Sequence, residues 1–321
     1  MAARSRIRIG TRGSRLALWQ ANAVRDALAS ARTLAADAIE IVPITTSGDR
    51  IQDRPLSEAG GKGLFAKEIE AALLQGNVDI AVHSAKDMET FLPSGLTIAA
   101  CLAREDVRDA LVARDGLSFS ALPKGARIGT ASLRREALLQ RARPDFAIEL
   151  LRGNVPTRVK RVEAGDLHAT LLAVAGLNRL GLRHHIAELM PLDRFPPACG
   201  QGIVAIECRE EDGATRSLLA EIDDRAASEA LTCERAFLAA LGGSCRTPIA
   251  GHARIEPDGL RFSGIVLTPD GSESVEATAS GRSDDAEAIG RSAGEDIIRR
   301  ASRTFLERAA LVPSSARAAV E

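Results

Sequence analysis

Tyrosine is absent from this chain of 321 residues, tryptophan occurs once and phenylalanine eight times. With aromatics at 3%, aliphatic side chains must fill whatever core forms. An excess of charge of either sign is also missing: 42 Lys+Arg face 43 Asp+Glu, a formal net charge of -1. That balance excludes a general nucleic-acid or polybasic membrane binder, while leaving room for a local basic cleft. Long apolar runs are lacking as well. "ATLLAVAGL" (Ala169–Leu177) is among the longest and is far below membrane-spanning length. The N-terminal "MAARSRIRIGTRGS" is Arg-rich but has no apolar signal-peptide segment. Five cysteines form no CxxC pair and show no zinc-ligand spacing, so reduced thiols and no metal site are expected. A cytoplasmic protein is the expectation. What is present, 45% hydrophobic and 26% charged residues, suits a soluble globular protein of two or three domains.

The first half alternates strand-like and helix-like segments. "RIRIG" (Arg6–Gly10) reads as a strand, and Ser14 as the cap of an amphipathic helix running to about Ala29. "IEIVPI" (Ile39–Ile44), a helix over Leu64–Gly76 and a buried strand over Val78–Ser84 follow. A second set holds strands at Arg127–Thr130, Phe146–Leu151 and Ala169–Gly176, a helix capped by Ser132, and another opened by Asn154 and Pro156. This rhythm predicts mainly parallel sheets covered by helices, with ligands at the carboxyl ends of strands. A Pro- and Gly-rich crossing, Arg194–Glu210, suits a chain returning to the first domain. Beyond about Arg225 a helix, two Pro-Asp-Gly turns (Pro257–Gly259 and Pro269–Gly271) and a final helix from about Asp284 predict an α+β domain with a small antiparallel sheet.

Four stretches invite chemistry. "DIAVHSAKDMET" (Asp79–Thr90) ends an apolar strand in His, Ser, Lys and Asp, with a plain polar strand exit as the competing reading. No GxSxG elbow accompanies His83 and Ser84, so a serine-hydrolase triad is not indicated. "AGGKGLFAKEIE" (Ala59–Glu70) fails the phosphate-loop test because Gly63 stands where Ser or Thr is required. It leaves Lys62 on a glycine loop, or simply a turn. Arginines form the third signal. Arg12, Arg152, Arg158 and Arg179 lie beyond predicted strand ends, and Arg134 and Arg135 sit in a first helical turn, where the helix dipole opposes a cation. Such a set calls for an anion, and planar bidentate partners make a polycarboxylate the better match. Fourth, Cys245 in "LGGSCRTPIAG" lies on a glycine loop beside Arg246, which lowers a thiol pKa. With no base near it in sequence, an inert thiol and a covalent attachment point are the two readings.

Taken together, "GTRGSRLALWQ", "GGKGLF", "DIAVHSAKD", "GTASLRRE", "LRGNVPTR", "AVAGLNRLGL", "PPACGQGIVAIECR" and "GGSCRTPI", in this order, resemble the porphobilinogen deaminase (hydroxymethylbilane synthase) family. The resemblance implies a transferase of tetrapyrrole and heme biosynthesis. It would carry a dipyrromethane cofactor as a thioether on Cys245, add four porphobilinogen units with loss of ammonia, and release hydroxymethylbilane by hydrolysis. It assigns the catalytic carboxylate to Asp87. Cofactor binding falls to Cys245, Lys62, Ser84, Lys86, Asp87, Thr130, Ser132, Arg134, Arg135 and Arg158, and substrate binding to Arg12, Ser14, Phe65, Arg152 and Arg179. The implied fold is α/β: two domains like the halves of type II periplasmic binding proteins (1–103 with 200–222, and 104–199) with a cleft between them. A smaller α+β domain (223–321) would carry the cysteine loop. A monomer is implied, with no nucleic-acid or membrane partner.

Porphobilinogen losing ammonia gives a cationic azafulvene, and a nearby carboxylate lowers the energy of that charge. Charge stabilisation is therefore the expected main role of Asp87, with proton donation to the leaving amine secondary. Two positions depart from the family pattern: Glu89 stands where a proline is usual after Asp87, and Glu58 where some members have lysine. A small-anion binding module of the same fold and a catalytically impaired homologue are the alternatives.

Overall fold

A computed structural model describes residues 6–31, 35–50, 64–243 and 247–311. Lys62, Cys245 and Glu58, singled out above, lie outside the described residues. The chain divides into two compact units, Met1–Glu105 with Gly202–Ser228, and Asp106–Gln201 with Glu229–Glu321.

The chain opens with β1 (Ile7–Arg12), whose Ile7 and Ile9 are fully buried. Helix α1 (Arg15–Ser30) follows, capped by Ser14, whose Oγ accepts from the Ala17 amide. Strand β2 (Ile39–Ile44), the short helices α2 (Ser47–Arg50) and α3 (Lys67–Leu74), and strands β3 (Ile80–Ser84) and β4 (Leu96–Cys101) complete this stretch. In the second unit come β5 (Asp109–Ala113), β6 (Arg127–Thr130), α4 (Leu133–Ala142), β7 (Ala147–Leu150), α5 (Val155–Glu163), β8 (Ala169–Ala173), α6 (Val174–Arg179) and β9 (Glu188–Leu189). Ser132 caps α4, and Asn154 caps α5 with Pro156 in its first turn, both as the sequence predicts. Strand β10 (Val204–Arg209) and α7 (Gly213–Ala220) belong to the first unit again. The helix α8 (Arg225–Leu241) leads to the antiparallel β11 (Ile249–Glu256), β12 (Gly259–Leu267) and β13 (Ser274–Gly281), then α9 (Ala286–Arg300) and α10 (Arg303–Arg308).

The two five-stranded sheets share one topology. Their orders are β2-β1-β3-β10-β4 and β7-β6-β8-β5-β9. The fourth strand in each, β10 or β5, runs antiparallel to its neighbours. In each case it is the first strand after the chain passes from the other unit. This is the doubly covered α/β arrangement expected from the βαβ rhythm, with the return strand that the Pro- and Gly-rich crossing foretells.

In the first unit α1 packs over one face (Ala21, Val24 and Leu28 with Ile80, Val82 and Ile206), and α3 over the other (Ile69 and Leu73 with Val78 and Ala81). In the second unit Leu139, Phe195 and Leu171 share a core with Ala250, Ile265 and Leu267 of the C-terminal sheet. A separate core there holds Phe237, Phe262 and Ile297.

One boundary differs from expectation. Ala169–Gly176 is not strand throughout: β8 ends at Ala173 and α6 begins at Val174. Arg179 therefore occupies the last turn of a helix, where a cation suits the dipole, rather than a strand exit. A short apolar run carries no periodicity that separates a strand from a buried helix.

Candidate active site

The C-terminal ends of β1 and β3 open onto a hollow lined by Arg12, Ser14, Gln20, Phe65, His83, Ser84 and Asp87, with Leu16, Ala17 and Val82. The adjacent strands β1 and β3 run parallel, so their last residues reach the same edge. Ser84 ends β3, and its hydroxyl accepts from Gln20 Nε2 at 2.8 Å, fixing it to α1. The chain then turns through Ala85–Asp87, which leaves Asp87 exposed and Lys86 half-buried. The N-terminus of α1, with its partial positive charge, forms part of the wall through Leu16 and Ala17.

Arg12 is held from two sides. Its Nε lies 3.1 Å from Asp49 Oδ1 and its Nη2 also bonds that carboxylate, while the guanidinium carbon sits 4.2 Å from the centre of the Phe65 ring. Thr46 Oγ1 donates to the same carboxylate at 2.8 Å. Partial burial would raise the Asp49 pKa, but the hydrogen bonds from Arg12 and Thr46 outweigh it and hold the carboxyl below its ordinary value. Arg12 is thus a preset cation at the rim of the hollow. Its face toward Phe65 adds cation–π attraction.

Arg134 and Arg135 are buried, 4% and 5% exposed. The anion that offsets them includes one of the protein's own groups, Asp109 at the start of β5, itself fully buried. Arg134 Nη2 and Arg135 Nη2 each bond one Asp109 oxygen at 2.7 Å, Gln201 Nε2 reaches Oδ1 at 3.0 Å, and Arg134 Nη1 donates to the Pro196 carbonyl at 2.6 Å. Two cations against one carboxylate leave a net positive cluster. Desolvation lowers the Arg134 pKa, with Asp109 opposing that effect. Arg134 Nε is buried without a hydrogen-bond partner.

Thr130 Oγ1 accepts from the Ser132 amide at 3.1 Å, and Ser132 Oγ from the Arg135 amide at 3.4 Å, so both hydroxyls belong to the turn that opens α4. Arg158 is steadied by donating from Nε to the Gly153 carbonyl at 2.9 Å. Arg152 and Arg179 are partly exposed.

Within the second unit the Arg134–Asp109–Arg135 cluster is net cationic, and the buried Arg134 Nε–H suits a carboxylate oxygen. Among the described residues no group of three or more His, Cys, Asp or Glu could hold a metal ion, and no helix is long and apolar enough to cross a membrane. Sequence reasoning missed Asp49, Asp109 and Gln20. Each is a partner contributed by a distant segment. Only Asp109, a charge leading into an apolar strand, left a local sign.

The fold and the site define an α/β protein with a carboxylate and a preset arginine at a sheet edge, suited to anionic ligands. The family model "Porphobilinogen deaminase, dipyromethane cofactor binding domain" matches residues 7–217, and "Porphobilinogen deaminase, C-terminal domain" matches residues 228–299. A protein named Porphobilinogen deaminase from Nitrobacter hamburgensis is 52% identical over 92% of this chain and 94% of its own length; its namesake from Nitrobacter winogradskyi is 51% identical over the same shares. The chain therefore belongs to the porphobilinogen deaminase family, the hydroxymethylbilane synthases, transferases with a dipyrromethane cofactor. Among solved structures, the Bordetella pertussis BvgS periplasmic VFT2 domain is 18% identical, with a TM-score of 0.40 over 67% of this chain and 86% of that one. A YaeC-family lipoprotein from Enterococcus faecalis gives 12% and 0.41 over 70% and 94%.

Proposed function

We propose that this chain joins four porphobilinogen molecules head to tail on a dipyrromethane held by Cys245, with loss of ammonia at each addition, and releases hydroxymethylbilane by hydrolysis. The observation that carries this reading is the hollow in which Asp87 shares a wall with Arg12, Ser14, Phe65 and Ser84. When bound, the dipyrromethane supplies a tether and a nucleophilic pyrrole carbon.

Arg134, Arg135, Arg158, Lys62 and Lys86 would hold its carboxylates, with the Thr130, Ser132 and Ser84 hydroxyls as further donors. Arg134 Nε is a free donor for this purpose, and the net charge of the Arg134–Asp109–Arg135 cluster favours an added anion. Arg12, Ser14, Arg152 and Arg179 would orient the acetate and propionate of incoming porphobilinogen, and Phe65 would pack against its ring. Asp87 places a carboxylate against the positive charge that develops as ammonia leaves. Such a preorganised charge is worth about 3 kcal/mol, roughly two powers of ten in rate.

We further read the chain as a cytoplasmic monomer, and its three sheets as three domains, with the cysteine loop in the last. Asp87→Asn keeps shape and removes the charge. Turnover per adduct-bearing molecule, with the adduct counted by intact mass, should fall about a hundredfold or more while the thermal midpoint stays put. Near-normal turnover would overturn the assignment.

A further inference from the structure

One wall residue of the hollow, His83, is not used by this scheme. It lies on β3 with its side chain on the sheet face opposite the α1 core, and it is 7% exposed. Its Nε2 points inward, 3.3 Å from Oε2 of Glu207, which is fully buried. The two positions are diagonal neighbours across antiparallel strands: Ala205 is opposite His83 and Glu207 is opposite Ala81. On the other side of β10 the register with β4 slips between Ile206 and Glu207, a bulge that fixes where the carboxylate projects.

His83 Nε2, Glu207 Oε1 and Glu207 Oε2 are all buried without an aligned hydrogen bond, so the approach is that of an ion pair. A bare carboxylate is strongly disfavoured in such a place. A buried carboxylate 3.3 Å from an imidazole nitrogen is placed to share one proton with it, as imidazole with carboxylic acid or as imidazolium with carboxylate. Both forms have the same proton count and no net charge.

We propose that His83, backed by Glu207, is the proton-transferring group of this site. The inference rests on the reading of the hollow given above. Among the described residues lining it, His83 is the one imidazole, a side chain that can both accept and donate a proton. A carboxylate that must oppose a cation loses that ability once it takes up a proton, so a second group serves the proton better.

The balance is closed. His83 gives a proton to the substrate's neutral amine, the carbon–nitrogen bond breaks with its electron pair on nitrogen, and ammonia leaves. The pair is then anionic while the substrate carbon is cationic. His83 would then take back the proton released as the new carbon–carbon bond forms, which restores the pair. The charged or titratable groups on the elements packed around the ring are Arg8 and Arg12 on β1, Lys86 and Asp87 after β3, Glu207, Cys208 and Arg209 on β10, Cys101 on β4, and Lys67, Glu68 and Glu70 on α3.

The test compares holoenzyme with His83→Gln and Glu207→Gln. The readouts are kcat and KM against pH, the solvent deuterium effect on kcat, and thermal midpoints. His83→Gln should lose about a hundredfold or more in kcat, with KM changed less than about threefold and the deuterium effect abolished. Glu207→Gln should lose about tenfold or more in kcat and displace the pH profile, with KM changed less than about threefold, because it keeps the side chain's shape and removes the group that shares the proton. The idea is overturned if kcat of both stays within about threefold with the pH profile unmoved, or if kcat, KM and midpoint decline together as a packing role predicts.

Should either variant fail to fold, histidine nitrogen NMR of unaltered holoenzyme decides. A hydrogen bridging His83 Nε2 and Glu207 supports the pair, and its absence overturns it. Asp87→Asn separates the levels. A crippled Asp87→Asn beside a healthy His83→Gln sinks this inference alone, whereas two healthy variants sink the site assignment as well.

Discussion

At Asp109 a single carboxylate serves two buried guanidinium groups, so its charge matters beyond its size. Asp109→Asn removes the counter-charge of Arg134 and Arg135 and leaves both cations inside the protein. Breaking a buried pair by removing one partner costs about 3–5 kcal/mol. Urea unfolding should show a loss of that order, and a loss below about 1 kcal/mol would mean the cluster is not held by charge. The arginine pair also shows how far local sequence reaches. Two cations in a first helical turn announce an anion, and one was expected from a ligand. The carboxylate found there comes from β5, at a sequence distance no local pattern encodes. Arg12 teaches the same lesson: its position at the end of the first strand was legible, but its clamp between Asp49 and Phe65 is made only by folding.

Elements were more legible than their partners. Capping residues Ser14, Ser132 and Asn154 state their helices' starts outright, because a side-chain oxygen supplies what the first amides lack. Both Pro-Asp-Gly turns mark real hairpins. The α6 start was hidden, since "LLAVAG" satisfies a buried strand and a buried helix alike. Nor does sequence show where helices touch. Helix α9 meets α8 through Gly290 and Gly294: a Cβ on Gly290 would run into the Cys233 carbonyl, and one on Gly294 would lie 2.6 Å from Ala240 Cβ. Gly290→Ala gains helix propensity, but overpacking costs about 1–3 kcal/mol and should dominate. A lower thermal midpoint with normal turnover per folded molecule is the expected result. An unchanged or raised midpoint would show that α8 and α9 can part at little cost. Gly202 is constrained differently, by a φ of +90° and by the Glu105 carbonyl beside it, at the point where the chain re-enters the first unit.

For the whole molecule, two sheets share one topology, and a C-terminal sheet packs on the second. That plan was readable from the βαβ rhythm and the late change to hairpins. The thiols divide by environment. Cys101, Cys199, Cys208 and Cys233 are buried, and burial pushes Cys208 up to about 11 and Cys233 up to about 12. Cys208 and Cys233 therefore remain protonated at neutral pH, and we propose Cys245 as the sulfur for chemistry. Intact-protein mass spectrometry of holoenzyme beside Cys245→Ser tests this most directly. The account predicts an excess of two linked pyrrole units on the first protein and the bare chain mass on the second. Bare mass on the unaltered protein, or an adduct that survives in Cys245→Ser, would contradict it.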